Sequence, residues 1–244
     1  HIAFMDTLPT ERKGRCRPIA RHREPYVMKE LDRMCEYMYV PSDSPLASNM
    51  VDADKDGPPW VRLCGDYPFM NRHMERRHAW IPDVKHILHK LSGFAYYSDF
   101  DMTNSFHQLQ LDKISSERLT VITPRGPLRP LYMPEGIKCA TPILHNTVSK
   151  IFSDFINEGW MLVLFDNFVI GANSKEELTE RTKLVFQQCR KYNLRLKLTK
   201  SHFGVTRVEF FGYEVDGEGY RLQPAKTQHI QTIPFPNAPT RALN

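Results

Sequence analysis

The stretch that most constrains the fold is residues 161–170, MLVLFDNFVI, in which Asp166 and Asn167 interrupt an otherwise apolar run. Because Asp and Asn favour tight turns, the run predicts two short buried strands joined at this pair. A carboxylate among such neighbours costs several kcal/mol to bury without a partner. A divalent cation offsets that cost, since hard cations prefer carboxylate oxygen. The alternative interpretation is a hairpin turn whose Asp and Asn are simply exposed to water.

A second acidic stretch, residues 97–106 (YSDFDMTNSF), contains an aromatic-rich segment that is typical of a strand. Asp99 and Asp101 are two residues apart, so in a strand they point to the same face. A carboxylate at a strand end is usually solvated, and it becomes chemically interesting only beside a second one. If Asp101 lies beside Asp166, the pair suits two-metal phosphoryl transfer, in which the ions stand ~3.5–4 Å apart.

The remaining pattern predicts an α+β fold with helices packed on one face of a sheet. Four helices are expected: one from near Pro25 to Pro41–Pro45, one over 81–91, one capped by Thr141, and one that opens with the capping box Ser174–Glu177. The buried face of the fourth helix is expected to carry Leu178, Val185, Cys189 and Tyr192.

Further strands are expected over 194–198 (LRLKL), which alternates strictly, and over 207–215 (RVEFFGYEV). Residues 52–59 predict a hairpin tip, and Gly217 and Gly219 predict a turn. Residues 1–23 are irregular and basic, which indicates either a solvated arm or a segment that contacts phosphates.

Composition narrows the functional classes. The 33 Lys and Arg against 28 Asp and Glu give a net charge of +5, a mild excess compatible with a polyanionic partner. The five cysteines form no C-x-x-C pair, and the ten histidines lack ligand spacing, so neither a disulfide framework nor a zinc module is indicated. No apolar run approaches the length of a membrane span. We therefore expect an intracellular protein, cytoplasmic or nuclear, that does not bind membranes.

Six blocks of the sequence resemble, in order and spacing, the reverse transcriptases of gypsy-type (Metaviridae) long-terminal-repeat retrotransposons. The resemblance runs from about Arg17 to the C-terminus. The blocks are SPLAS (44–48), VRLCGDY (61–67), SDFDMTNSFHQLQL (98–111), MPEGIKCA (133–140), LVLFDNFVI (162–170) and LKLTKSHFGVTRVEFFGY (196–213). The resemblance implies the fingers and palm of a right-hand polymerase, with an antiparallel palm sheet and a truncated thumb.

The resemblance also implies catalytic roles for matching positions. Asp101 and Asp166 match the metal-binding aspartates of the palm, and Asn167 stands where the family's Tyr-x-Asp-Asp box has its second aspartate. Lys200 matches a lysine that is a candidate proton donor to pyrophosphate. The implied cofactor is a pair of Mg²⁺ ions, with Mn²⁺ as a possible substitute.

Nucleotide and primer contacts are implied in the same way. Arg62 and Lys55 match finger cations near the triphosphate, Phe106 matches the aromatic gate against a 2′-hydroxyl, and Gly136 falls in the loop beneath the templating pair. Phe211, Gly212 and Tyr213 match the hairpin that grips the primer end. The implied partners are a primed RNA or DNA template and a dNTP, and the parent polyprotein is expected to carry RNase H and integrase segments.

The implied domain organisation is an N-terminal part of the fingers over 1–96, a palm over 97–222 with a finger insertion near 112–132, and the start of a thumb or connection over 223–244. Three departures from the family pattern bear on activity: Asn167 in the acidic box, Glu135 in the loop before Gly136, and Pro68 after Asp66-Tyr67. Three hypotheses follow: an RNA-directed DNA polymerase, a decayed or domesticated palm that binds nucleic acid without catalysis, and an interaction module without a nucleic-acid role.

Overall fold

Residues 1–79, 81 and 83–223 are the part of the chain that the computed structural model describes, and they form seven α-helices and twelve β-strands. The helices are α1 (Glu24–Cys35), α2 (Pro68–His73), α3 (Val84–Leu91), α4 (Lys113–Arg118), α5 (Ala140–Ile151), α6 (Ser153–Asn157) and α7 (Lys175–Lys191). The strands are β1 (Tyr39–Pro41), β2 (Ser48–Asp54), β3 (Val61–Asp66), β4 (Tyr96–Asp101), β5 (Val121–Thr123), β6 (Gly126–Pro130), β7 (Met161–Leu164), β8 (Asn167–Ala172), β9 (His202–Val205), β10 (Arg207–Phe210), β11 (Tyr213–Asp216) and β12 (Gly219–Leu222).

A five-stranded sheet in the order β1-β6-β5-β2-β3 forms one end of the described structure. Its neighbours are antiparallel except for β2 and β5, which run parallel. Strands β2 and β3 form a hairpin, so the tip predicted over 52–59 is confirmed. Helix α1 buries Val27, Leu31 and Met34 in the same core cluster as Val61 and Leu63 of β3.

The central sheet has four antiparallel strands in the order β7-β8-β4-β9. The apolar run at 161–170 supplies β7 and β8, and the chain reverses at Phe165-Asp166 between them. The prediction of two short strands is therefore confirmed, while the turn lies one residue earlier than the predicted Asp-Asn pair, because Asn167 is the first residue of β8. Strand β4, which carries Asp99 and Asp101, pairs with β8 along its whole length.

Both faces of the central sheet are covered, which explains why β8 is apolar at consecutive positions. Helices α5 and α7 pack on one face, where Phe168 and Ile170 of β8 are fully buried. On the other face, Val169 packs with Leu88 and Leu91 of α3 and with the three-stranded sheet β10-β11-β12. The α+β class is confirmed, with the second sheet as an additional cover.

Several sequence-based boundaries are corrected by the structure. Helix α1 ends at Cys35 rather than at Pro41, because Tyr39–Pro41 pairs with β6 instead. Thr141 lies inside α5, whose N-cap is Cys139. Helix α7 does begin at the predicted capping box, since Ser174 Oγ accepts the N–H of Glu177 at 3.1 Å.

Three further predictions near the C-terminal end of the described chain are wrong in part. Tyr192 is 47% exposed, because it lies just past the end of α7 and outside its buried stripe. Residues 194–198 form no strand of their own and make a single bridge, Leu196 to Met102. Residues 207–215 are a hairpin rather than one strand, since Phe211 and Gly212 adopt positive φ and reverse the chain.

The basic N-terminal segment packs on the five-stranded sheet, which we call the finger-side sheet, rather than extending freely into solvent. Arg17 pairs with Asp66, and Arg23 contacts Asp52 and Asp54, both at 2.6 Å. Arg12 lies over the ring of Phe69, 4.3 Å from its centroid. These three arginines form ion pairs or a ring contact within the fold. Their charges are therefore not all available to bind phosphates.

The boundaries predicted at 96 and 222 stay predictions, and residues 224–244 of the expected thumb or connection lie outside the described residues. Within the described ranges, no helix has the length and apolar character needed to cross a membrane.

Candidate active site

Asp101 and Asp166 lie side by side at one end of the central sheet. Asp101 is the last residue of β4, directly opposite Asn167, the first residue of β8. The N–H of Met102 donates to the carbonyl of Asp166 at 3.0 Å, so the two acidic segments are also joined just beyond the register pair. Residues 65 positions apart in the sequence are thereby neighbours in space, as the two-acid hypothesis requires.

Asp166 sits in the tight turn between β7 and β8. The residue before it, Phe165, has φ +59°, a left-handed conformation that is uncommon for a bulky side chain. The N–H of Phe165 donates to Nδ1 of His145 at 3.3 Å. His145 is a buried residue of α5, only 2% exposed. The turn therefore rests on a helix behind the sheet as well as on its own strands.

The carboxylate of Asp166 has two polar neighbours. Ser105 Oγ donates to Oδ2 at 3.5 Å, and the amide of Asn167 donates to Oδ1 at 3.4 Å. Ser105 begins the 3-10 turn that follows β4 and is itself buried. The acid is thus held by weak, long hydrogen bonds, which leave its lone pairs available to a cation.

Lys200 lies at the same end of the sheet. Its Nζ is 3.7 Å from Oδ2 of Asp101, and the lysine side chain is 62% exposed while that of Asp101 is 23% exposed. The approach is arranged by backbone contacts, since the N–H of Lys197 donates to the carbonyl of Asp101 at 2.7 Å. The structure therefore brings Asp101, Asp166, Asn167 and Lys200 together.

These residues offer a donor set suited to Mg²⁺. Two carboxylates and an amide that can present its carbonyl are the hard oxygen ligands that this ion prefers. Within residues 1–79, 81 and 83–223, no group of three or more His, Cys, Asp or Glu is arranged to hold a metal. The oxygen donors at this site are therefore the carboxylates of Asp101 and Asp166 and the amide carbonyl of Asn167. This set carries one negative charge fewer than a set of three carboxylates.

A cleft beside the five-stranded sheet is lined by two of the predicted nucleotide contacts, Lys55 and Arg62. Lys55, Arg62 and Gly65 line it together with Asn104 and Glu135. Asn104 comes three residues after Asp101, so the cleft adjoins the acidic end of the central sheet. We call this space the finger cleft.

Glu135 places a negative charge inside the finger cleft. Its carboxylate is 3.7 Å from the guanidinium of Arg62 and 3.9 Å from the thiol of Cys64. Burial raises the pKa of Cys64, and the charge of Glu135 adds to that rise. At the inner wall of the cleft, burial lowers the pKa of His107, which favours its neutral form.

Gly136 follows Glu135 in a loop that passes close to β3. Its φ is +91°, and a Cβ added there would lie 3.2 Å from the carbonyl oxygen of Gly65. Asn71 fixes the loop from α2: its amide donates to the carbonyl of Gly136 and accepts the N–H of Lys138, both at 2.8 Å. A glycine is therefore favoured here by both conformation and space.

Phe106 lies in the 3-10 turn next to Ser105 and is partly buried against both the finger-side core and the central core. This location places an aromatic ring between the two halves of the described structure, one residue from the serine that contacts Asp166. The position is compatible with a gate beside an incoming sugar, a role that stays a prediction.

Phe211, Gly212 and Tyr213 form the turn between β10 and β11 and the start of β11. Phe211 has φ +49° and is 44% exposed, and its ring centroid is 5.8 Å from that of Phe165. The N–H of Gln223 donates to the carbonyl of Gly212 at 3.0 Å. The hairpin turn predicted to hold a primer end thus contacts the turn that carries Asp166.

Two residues of the site had no signal in the sequence. Ser105 and His145 both contact the Phe165-Asp166 turn, yet a serine after a strand and a histidine in a helix stripe are common in any fold. His145 follows Leu144 in the apolar stripe of α5, which alone indicates a core position. Only the packing of α5 behind β7 and β8 reveals the contact.

Comparisons with known proteins agree with this geometry. The family model described as reverse transcriptase (RNA-dependent DNA polymerase) matches residues 25–215. The chain is 31% identical over 176 residues to the retrovirus-related Pol polyprotein from transposon 412 of Drosophila melanogaster, covering 72% of this chain and 14% of that protein. It is 27% identical over 217 residues to the polyprotein from transposon opus of the same species, covering 87% of this chain and 22% of that one.

Solved structures show the fold. The foamy viral protease-reverse transcriptase in complex with RNA/DNA hybrid superposes with a TM-score of 0.80 at 19% identity, covering 96% of this chain and 31% of that one. A second structure of that protein, in complex with double-stranded DNA, gives a TM-score of 0.82. The chain spans less than a quarter of the two transposon polyproteins. With the acidic turn, the finger cleft and the family match in agreement, the chain belongs to the reverse transcriptase family, in the branch of gypsy-type long-terminal-repeat retrotransposons.

Proposed function

We propose that this chain is the fingers and palm of an RNA-directed DNA polymerase, which transfers a nucleotide from a dNTP to a primer 3′-hydroxyl on an RNA or DNA template. The observation that carries the proposal is the register pair Asp101–Asn167, which sets Asp101 beside Asp166. Because the reaction is largely positioning and charge stabilisation, two fixed carboxylates at a sheet end are the central requirement.

Asp101 and Asp166 would hold the metal ions, with the carbonyl of Asn167 as a further donor. When bound there, Mg²⁺ would supply charge neutralisation at the transferring phosphoryl group and would lower the pKa of the attacking hydroxyl. The chain itself brings the two aspartates together, through the pairing of Asp101 with Asn167 and the hydrogen bond from the N–H of Met102 to the carbonyl of Asp166. Lys200, whose Nζ is 3.7 Å from Asp101, would give a proton to the leaving pyrophosphate.

The finger cleft would receive the triphosphate of the dNTP. Arg62 and Lys55 provide positive charge there, and the cleft adjoins the acidic end of the sheet. Gly136 lets its loop approach β3 closely, beneath the pair being formed. Phe106 would lie under the sugar and exclude a 2′-hydroxyl, which selects deoxynucleotides.

The template and primer would be held mainly through their phosphates. Phe211, Gly212 and Tyr213 would contact the primer end, since their turn touches the Phe165-Asp166 turn. That the foamy viral relative of this fold is described in complex with RNA/DNA hybrid and with double-stranded DNA supports both template types. Binding of this kind weakens steeply as salt rises.

Single-nucleotide incorporation on a primed template with Mg²⁺ at low salt tests the proposal. We expect incorporation by the unmodified chain and a loss of about a hundredfold or more in Asp101→Asn and Asp166→Asn. Asp99→Asn is the matched control, because Asp99 lies on the same strand but pairs with His202 at 3.0 Å. Equal rates for Asp166→Asn and the unmodified chain would reject the proposed site.

A second candidate is a palm that binds nucleic acid without catalysis. It is favoured by one observation, the amide of Asn167 at the position of a second carboxylate, 3.4 Å from Asp166. This candidate predicts salt-dependent binding of a primed template and no incorporation by the unmodified chain. Binding that is absent or insensitive to salt would instead favour an interaction module without a nucleic-acid role.

A further inference from the structure

The turn that carries Asp166 is held in a conformation that its own residues disfavour. Phe165 has φ +59°, and a residue with a Cβ adopts this left-handed region at an energetic cost. Strained backbone of this kind persists only where the surroundings over-determine it. The contacts of Phe165 are therefore the place to look for what fixes Asp166.

Phe165 makes three contacts with two residues, Phe211 and His145. Its ring lies 5.8 Å from the ring of Phe211 and 5.7 Å from the ring of His145, measured between centroids. Its N–H donates to Nδ1 of His145 at 3.3 Å. The hydrogen bond is the directional contact of the three, because it depends on the orientation of the Phe165 peptide plane.

His145 is suited to this task by its burial and its chemistry. It is 2% exposed and stands on α5 between Leu144 and Val148, which are also buried. A backbone N–H can only donate, so Nδ1 must be the unprotonated nitrogen and the ring carries its proton on Nε2. In this tautomer the histidine offers an acceptor to the turn from a rigid helix.

We propose that His145 is a positioning residue that fixes the Phe165-Asp166 turn and thereby the distance of Asp166 from Asp101. The turn is restrained at two successive points: the Phe165 N–H by His145, and the Asp166 carbonyl by the N–H of Met102. The restraint from Met102 is a backbone contact beside the sheet. The restraint from His145 depends on one side chain. The effect of His145 on catalysis rests on the proposed function. The restraint of the turn by His145 does not.

Two substitutions separate the hydrogen bond from the packing. In His145→Asn, the amide oxygen takes the place of Nδ1 as an acceptor. In His145→Phe, the ring contact with Phe165 is kept and the acceptor is lost. Both variants are made in the full 244-residue chain, and thermal unfolding of each checks that the fold is retained.

The direct measurement is hydrogen exchange at the Phe165 amide by NMR of the ¹⁵N-labelled chain. Exchange in His145→Phe should be about tenfold faster at Phe165 than in the unmodified chain, as expected when one hydrogen bond is lost. Exchange in His145→Asn should be close to that of the unmodified chain. The Met102 amide, which bonds to Asp166, is the internal reference and should keep most of its protection. Equal exchange at Phe165 in all three proteins would overturn the inference.

Incorporation kinetics test the catalytic consequence. His145→Phe should lower kcat about tenfold with little change in KM for the dNTP, and His145→Asn should restore most of the rate. Restoration by asparagine is not expected if the residue only fills space. If exchange at Phe165 behaves as stated but the unmodified chain incorporates nothing, the assignment of the turn stands and the polymerase proposal fails. If His145→Phe incorporates at the unmodified rate despite faster exchange, the positioning role is rejected.

Discussion

Asp101 and Asn167 face each other across β4 and β8, so one pair in the register of the central sheet fixes both the first acid and the position where the family's second adjacent acid would stand. The amide at Asn167 keeps the shape of an aspartate but carries no charge. The amide therefore changes the charge of the site, and it also donates a hydrogen bond to Asp166 at 3.4 Å that a carboxylate could not donate.

Restoring that charge should strengthen metal binding more than it alters the chemical step. At an effective dielectric constant of ~20, one charge at ~4 Å is worth roughly 4 kcal/mol before solvent screening, so even a small part of it is measurable. We expect Asn167→Asp to lower the Mg²⁺ concentration for half-maximal incorporation several-fold, with kcat changed by less than about tenfold. A magnesium titration of incorporation rates measures both. Activity that exists only in Asn167→Asp would instead favour the palm without catalysis.

Glu135 competes for Arg62 in the finger cleft, where the carboxylate and guanidinium are 3.7 Å apart. Both side chains are substantially exposed, so the pair is worth at most about 1 kcal/mol. Glu135→Gln should therefore lower KM for the dNTP by up to about fivefold and leave kcat nearly unchanged. Glu117→Gln is the control, because Glu117 is a partly exposed acid on α4 that pairs with Lys113. A KM that rises in Glu135→Gln would contradict this account.

Gly136 is constrained both by its backbone angle and by its closeness to β3. Gly159 has a similar φ, +84°, but a Cβ added there would meet no heavy atom within 4 Å. Each Gly→Ala substitution should cost about 1 kcal/mol through conformation. Gly136→Ala should cost about 1 kcal/mol more, because its Cβ presses on the Gly65 carbonyl. Urea unfolding of the two variants measures the difference, and equal losses would show that the loop shifts freely.

Acid should weaken the fold partly through His107. Its Nδ1 is buried, and within the described residues it has no hydrogen-bond partner. Burial lowers its pKa below the ordinary value of 6.5. A histidine with a lowered pKa contributes stability that is present above the unfolded-state pKa and is lost as pH falls through the folded-state pKa, because the unfolded chain takes up the proton more readily.

Replacing His107 should therefore flatten the dependence of stability on pH. We expect the free energy of unfolding of His107→Leu to fall less than that of the unmodified chain between pH 7.5 and pH 5. Urea unfolding at several pH values supplies the measurement. Parallel curves for the two proteins would show that His107 does not contribute.

The sequence predicted the parts of the site that depend on local pattern. The apolar run at 161–170 was sufficient to place a turn at Asp166, because apolar runs and turn-forming residues are local signals. The proximity of Asp101 and Asp166 was a hypothesis until the register of β4 and β8 was known, since strand pairing is not encoded in either segment alone. The register pair Asp101–Asn167 supplies what the pattern could not.

The predictions that were wrong or missed share one physical origin, which is that contacts between distant segments decided the structure there. Residues 207–215 look continuous because Phe211 is apolar and aromatic, and its positive φ is imposed by the reversal between β10 and β11. Residues 194–198 alternate like a strand, but β4 is already paired with β8 and β9, so only Leu196 finds a partner. His145 lay unnoticed in a helix stripe because its function depends on a turn 20 residues away.

The order of strands in the finger-side sheet has a consequence for how the chain acquires its shape during synthesis. β1 reaches the rest of that sheet only through β6, and β5 joins β6 to β2. β5 and β6 are translated after β4, so the earliest strands to leave the ribosome wait for residues 121–130 before their sheet closes. A piece cut at residue 96 would keep β1 and the β2-β3 hairpin but lose β5 and β6, the strands that join β1 to that hairpin. Residues 1–96 are therefore not a separable unit, and attempts to express them alone should yield aggregated material.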